Sequence, residues 1–249
     1  MEKQHTIIVG NWKMYGHKEL ANALLPPVMD AARDAGATVV VCPPSLLIPH
    51  VARLVQDASV KIGGQDCHVE KEGAFTGNTS AAMLKEAGCQ YVIIGHSERR
   101  QYHHETDADV HGKAAQAMAS GLIPIICVGE TLAEREAGQA QAVVKKQLMA
   151  SIPSGNGQFL LAYEPVWAIG SGKTPTALDI KQMHGHIRQV VSNHKGMQTA
   201  VLYGGSVKAA NAAEILATDA VSGVLVGGAS LKAEEFCGII AATAALKKG

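Results

Sequence analysis

Phe159-Leu160-Leu161-Ala162-Tyr163-Glu164-Pro165-Val166-Trp167-Ala168-Ile169-Gly170-Ser171-Gly172-Lys173 carries the pattern of the fold and the start of the chemistry together. Phe159–Tyr163 is an unbroken apolar run, as expected of a strand covered on both faces in a parallel sheet. Glu164 ends the run with a carboxylate. A rigid Pro165-Val166-Trp167 follows, and then a glycine-spaced tip, Gly170 to Lys173, that reads as a hinged loop. A base on a fixed strand end beside a loop that can close suits chemistry that must be shut off from water once substrate is bound.

Seven more runs of this kind recur along the chain: Ile7–Val9, Val39–Cys42, Ile62–Gly64, Tyr91–Ile94, Ile123–Val128, Ala200–Tyr203 and Val224–Val226. Helical patterns lie between them. Ile180, Met183, Ile187, Val190 and Val191 share one face, as do Ala114, Ala117 and Met118. Pro43-Pro44-Ser45, and Thr176 before Leu178, read as helix starts. No linker, low-complexity segment or break in composition interrupts the series. Eight βα units predict an α/β protein, a closed parallel (β/α)8 barrel forming one domain over residues 1–249. The alternative is an open flavodoxin-like or Rossmann sheet. It would usually place a glycine-rich fingerprint after the first strand, where this chain has Gly10-Asn11-Trp12-Lys13.

Composition narrows the partners. Hydrophobic residues make up 47% and charged residues 18% of 249, ample for a large core and too apolar for disorder. Formal charge is zero and no basic cluster stands out, which argues against nucleic acid or an anionic membrane as the main partner. No apolar run nears the roughly 18 residues of a membrane span. The N-terminus shows no signal-peptide pattern, and the five cysteines are scattered, so a reducing cytoplasm is expected.

In a parallel barrel the strand C-termini form the mouth of the active site. Strand one ends in Asn11 and Lys13, strand four in His96-Ser97-Glu98-Arg99, and strand six in Glu164. Strand seven ends in Gly204-Gly205-Ser206 and strand eight in Gly227-Gly228. Singly, Lys13 reads equally as a solvated charge, His96 as a satisfied structural histidine, Glu164 as a cap, and the glycines as turns. On five strand ends of one barrel they form a set. Glu164 is the candidate base for a proton on carbon. His96 opens a helical turn, whose N-terminus disfavours a positive imidazole, so a neutral ring donating to an oxyanion is expected. Lys13 supplies a fixed positive charge for an enediolate or a phosphate. The two glycine pairs precede helices, where backbone amides can cradle phosphate.

Gly10–Lys13, Gly95-His96-Ser97-Glu98-Arg99-Arg100, Glu164–Lys173, Tyr203-Gly204-Gly205-Ser206 and Leu225–Ser230 together resemble the motifs of the triosephosphate isomerase family, in its order and across essentially the whole chain. The resemblance implies a TIM barrel that interconverts dihydroxyacetone phosphate and glyceraldehyde 3-phosphate, a step of glycolysis and gluconeogenesis, without cofactor or metal. It implies Glu164 as base, His96 as neutral electrophile, and Lys13 and Asn11 at the substrate. Gly170, Ser206, Gly227 and Gly228 would hold the phosphate. It also implies a homodimer in which the loop around Phe75-Thr76 docks into the other subunit. Three positions depart from the family pattern: Ser171 replaces a threonine, Tyr15 an asparagine, and Asn78 a glutamate that looks paired with the residue matching Arg99 across the interface.

Other signals lead elsewhere. Gly170-Ser171-Gly172-Lys173-Thr174 looks like the end of a P-loop, but Trp167 stands where that motif needs glycine. His103-His104-Glu105 could be read as metal ligands, though adjacent side chains on a helix diverge and a solvated face is expected instead. Cys127 lies in an apolar strand, which disfavours a thiolate, so a buried structural cysteine is expected. Two other functions are open to a chain of this pattern: a phosphosugar lyase on the same barrel, and a non-catalytic phosphate-binding protein.

Overall fold

The computed structural model describes residues 6–56, 59–155, 157–169 and 175–247. The strands are β1 (Ile7–Asn11), β2 (Thr38–Cys42), β3 (Val60–Gly64), β4 (Tyr91–Ile94), β5 (Ile123–Val128), β6 (Leu160–Tyr163), β7 (Val201–Tyr203) and β8 (Gly223–Val226). They pair in sequence order and close into a barrel. The closing ladder is parallel and runs from Ile7 opposite Gly223 to Gly10 opposite Val226. It joins the two ends that an open sheet would leave as edges. Strand bounds agree with the apolar runs to within two residues. β3 starts earlier than its run because the exposed Lys61 interrupts the apolar pattern.

Side chains alternate along each strand, and apart from Lys61 and a few strand-start residues both faces are buried. Ile7, Val9, Val40, Cys42, Ile93, Ile125, Cys127, Leu160, Ala162, Leu202 and Leu225 fill the barrel interior. Ile8, Val39, Val41, Val92, Ile94, Ile126 and Leu161 join the larger cluster shared with the helices. This double burial is why the strands read as continuous apolar runs, each large side chain contributing about 1.5–3 kcal/mol. Gly10 lets the last helix come close, since a Cβ there would meet Phe236 and Ser230 at 2.9 Å.

The outer helices present the expected faces. Helix Ala177–Lys195 buries Ile180, Met183, Ile187, Val190 and Val191, and Thr176 caps it in a reciprocal box with Asp179. Helix Asp107–Ala119 buries Ala114 and Ala117, with Met118 half-buried on the same core. The start at Ser45 divides into a 3-10 turn, Ser45–Leu47, and a helix, Ile48–Leu54. Among the described residues no helix is long and apolar enough to cross a membrane.

Candidate active site

The strand C-termini surround a cavity of about 450 Å³. Asn11, Lys13, His96, Glu164, Ser206, Gly227 and Gly228 all line it, so barrel closure brings residues from five strand ends to one mouth. Gly170, with Ser171 to Lys173, lies outside the described residues.

Glu164 leaves the end of β6 buried, its backbone N–H donating to Val128 O at 2.8 Å. Its Oε2 accepts from the Ser97 N–H at 2.9 Å. Its Oε1 lies 2.9 Å from His96 Nε2, but no donor is well aligned on that oxygen, so this contact is chiefly electrostatic. Burial alone would lift the carboxyl pKa. The charge of the His96 ring, the Ser97 N–H and Lys13 outweigh it, and the group is held below its ordinary value. Gly204 gives this side chain room, since a Cβ there would stand 2.9 Å from Glu164 Cγ.

His96 is the N-cap of helix Ser97–Tyr102 and is buried. Its Nδ1 accepts the Glu98 N–H at 3.2 Å. That lone pair is therefore occupied by a donor, and a single ring proton belongs on Nε2, facing Glu164. One influence was not legible in the sequence. Burial lowers the His96 pKa, but the adjacent Glu164 charge more than reverses this, and in the resting site the pKa lies above its ordinary value. The two groups titrate as a pair.

Lys13 sits just past β1 with φ 54°, a left-handed conformation rare for a side-chain-bearing residue. Asn11 Oδ1 accepts the Lys13 N–H at 2.9 Å, and Gln65 Nε2 donates to Lys13 O at 2.8 Å. These bonds hold the turn and direct the ammonium into the cavity, where Nζ lies 2.6 Å from Glu98 Oε1. Gly227 clears the path, a Cβ there reaching to 3.4 Å from Lys13 Cε. Glu98 and Gln65 were not singled out by their local sequence; their partners lie 85 and 52 residues away.

The glycine turns differ in what they offer. The Gly204 N–H donates to Tyr163 O at 2.8 Å and is spent within the barrel. Ser206 Oγ donates to Ala168 O at 3.2 Å, linking this turn to the start of the expected lid. Val166–Ala168 forms a 3-10 turn pinned by the buried Glu130. Glu130 Oε1 accepts from Tyr163 OH at 3.0 Å and Trp167 Nε1 at 2.9 Å, and Arg135 covers the Trp167 ring at 4.8 Å. Arg135 also reaches Asp179 at 2.5 Å, in the box that caps helix Ala177–Lys195. The segment on each side of residues 170–174 is thus tied to one arginine.

Other expectations resolve locally. Helix Ser97–Tyr102 ends before His103, and His104 takes φ 55°, so the two histidines follow the helix and do not lie on it as expected. Glu105 turns inward onto Arg99 and Lys113. Arg99 also contacts Asp66 at 3.0 Å, and Lys113 contacts Asp66 at 2.8 Å, giving two cations and two carboxylates in one chain. Cys127 is fully buried in the barrel interior, and burial pushes its thiol pKa well up, as a structural cysteine requires.

Comparison with known proteins gives the same picture over nearly the full length. The family model described as triosephosphate isomerase matches residues 6–243. The triosephosphate isomerase of Afipia carboxidovorans is 50% identical over 247 residues, covering 95% of this chain and 97% of its own. That of Xanthobacter flavus is 48% identical, covering 95% and 97%. The crystal structure of triosephosphate isomerase from Bartonella henselae superposes with a TM-score of 0.89 at 39% identity, covering 96% of this chain and 98% of that one. A match that runs from the first strand to the last helix, at half the sequence and the full barrel, means that the chain belongs to the triosephosphate isomerase family.

Proposed function

We propose that this chain interconverts dihydroxyacetone phosphate and D-glyceraldehyde 3-phosphate, moving a proton between adjacent carbons through an enediol(ate) and using no cofactor or metal. The observation that carries the reading is the meeting of a carboxylate held below its ordinary pKa, a buried imidazole and an ammonium on the wall of one cavity. Glu164 is the base. At rest it is held by Ser97 N–H and His96, and substrate draws it from these contacts toward the carbon. His96 Nε2–H donates to the oxygen on which charge develops. As the carboxylate leaves the ring, the influence that raised the imidazole pKa weakens, and burial with the helix N-terminus favours the neutral donor. Lys13, positioned by Asn11, stabilises the same charge and the phosphate. Ser206, Gly227 and Gly228, with Gly170 of the lid, hold the phosphate through hydroxyl and amide donors.

A coupled assay in both directions, run in D₂O, tests this. Turnover with deuterium entering the carbon-bound position is expected. A folded protein without turnover would overturn the proposal, and borohydride trapping of substrate on a lysine would show a lyase in its place.

The reading extends to a homodimer in which the Phe75-Thr76 loop docks beside the active site of the other subunit. A second hollow, about 560 Å³, opens beside the first and shares Asn11, Lys13, His96 and Glu98 with it. Met14 is 93% exposed and also lines the hollow; Leu46 is 95% exposed, next to the lining residue Ser45. Such side chains are unfavourable in water and suit a partner's surface. Phe75 packs against His68 of its own chain, with ring centroids 4.1 Å apart and the planes tilted by 36°. Arg99 is already engaged by Asp66 and Glu105 within the chain, which fits a neutral Asn78 where the family pattern has glutamate. Light scattering at low micromolar protein is expected to give twice the chain mass. Phe75→Ala should weaken the dimer by more than Asn78→Ala, since aromatic anchors dominate such interfaces. A fully active parent monomer would overturn this part.

A further inference from the structure

The cavity lining carries one lysine, Lys208, that the mechanism above does not use. Its lining holds four charged side chains among the described residues: Lys13, Glu98, Glu164 and Lys208. Lys13 is paired with Glu98 at 2.6 Å, so these two nearly cancel at a distance. Glu164 is held ionised. The amides of the glycine turns carry no formal charge. Among the described lining residues Lys208 is thus the cation left to face a phosphate monoester bearing about −1.5 to −2 from outside.

Lys208 follows directly on the Gly204–Val207 turn. Its place is fixed by Asn211, whose Oδ1 accepts the Lys208 N–H at 2.8 Å and whose Nδ2 donates to Ser206 O at 3.2 Å. The residue is exposed, and no ion pair of its ammonium is found among the described residues. A carboxylate on this edge, Glu235, accepts the neighbouring Ala209 N–H at 3.0 Å. An unpaired ammonium on the outer rim acts before the substrate is seated, when Lys13 and its partner still look neutral from outside.

We propose that Lys208 is the steering residue for the phosphate group: its unpaired ammonium on the rim of the cavity raises the rate at which phosphorylated substrate is captured, without taking part in proton transfer. The inference rests on the triose phosphate reading above. Its signature is a kcat/KM effect that depends on ionic strength, because the Debye length shrinks from about 30 Å at 0.01 M to about 8 Å at 0.15 M salt.

The test uses full-length Lys208→Gln, Lys208→Glu and Lys208→Arg. At about 10 mM ionic strength, kcat/KM should fall about three- to tenfold for Lys208→Gln and further for Lys208→Glu, while Lys208→Arg stays near the parent. The parent's advantage should narrow as salt is raised, with kcat unchanged throughout. Inhibition by inorganic phosphate should weaken in the same order. Unchanged kcat/KM and phosphate inhibition in the Gln and Glu variants at low salt would overturn the proposal, as would an equal loss at every ionic strength with lowered kcat. A parent without isomerase activity would instead overturn the reading on which it rests, and phosphate binding, followed by calorimetry, would still report on Lys208.

Discussion

Glu164→Gln is expected to lower kcat by at least about 10²–10⁴-fold, the range for loss of a general base, with a much smaller change in KM. The amide is nearly isosteric, so it fits beside Gly204, and its carbonyl can still accept the Ser97 N–H. What it cannot do is take a proton from carbon. Deuterium exchange at carbon should fall in parallel with turnover, since both pass through the same step. Glu164→Asp provides the graded control, keeping the charge but withdrawing it by one methylene; a displacement of about 1 Å can itself cost about 10²-fold. A second readout is independent of turnover. The Glu164 charge is what lifts the His96 pKa, so its removal should move the imidazole pKa downward in an NMR titration. Turnover within tenfold of the parent would remove Glu164 from this role. A static His96 titration would mean that the two groups are not coupled as their 2.9 Å separation requires.

The barrel was legible in the sequence because parallel strands buried on two sides must be apolar at every position, and seven of the eight runs show little else. The exception is instructive. Lys61 in β3 is exposed, and it hid the first two residues of that strand. The residues at the strand ends were legible for a related reason, since a polar side chain that ends a buried strand has only the mouth of the barrel to enter. Their partners were not. Lys13 meets Glu98, Glu164 meets the Ser97 amide, and Trp167 meets Glu130 only after the strands have closed, and no local periodicity encodes contacts of that kind. The electrostatic state of His96 was half legible. The helix N-terminus can be read from Ser97-Glu98-Arg99-Arg100, whereas the opposing pull of Glu164 requires the two strand ends to be adjacent. The His103-His104 pair is exposed, as a solvated face requires, but the helix was carried too far; it stops at Tyr102, and His104 turns into the left-handed region.

Lys13→Met should raise KM and lower kcat together, which separates it from Glu164→Gln. Methionine keeps much of the length and the apolar stem, and both residues bear the same cost at φ 54°, so the backbone comparison is fair. The charge is lost in two senses. The first is direct: a donor aimed at the developing oxyanion disappears, which typically lowers kcat by about 10²–10³-fold. The second is indirect. Glu98, relieved of its partner at 2.6 Å, becomes an uncompensated carboxylate on the cavity wall, and the substrate phosphate must approach it. KM should therefore rise by about tenfold or more, as expected for an interaction made in both the ground state and the transition state. Stability should change little, because a partly exposed ion pair contributes only roughly 0–1 kcal/mol. The double variant Lys13→Met with Glu98→Gln sorts the two effects. Removing the stranded carboxylate should recover part of KM, while kcat stays low for want of the ammonium. If Lys13→Met altered only thermal stability, the ammonium would be a structural charge, and the oxyanion and phosphate would have to be held by His96 and the backbone amides alone.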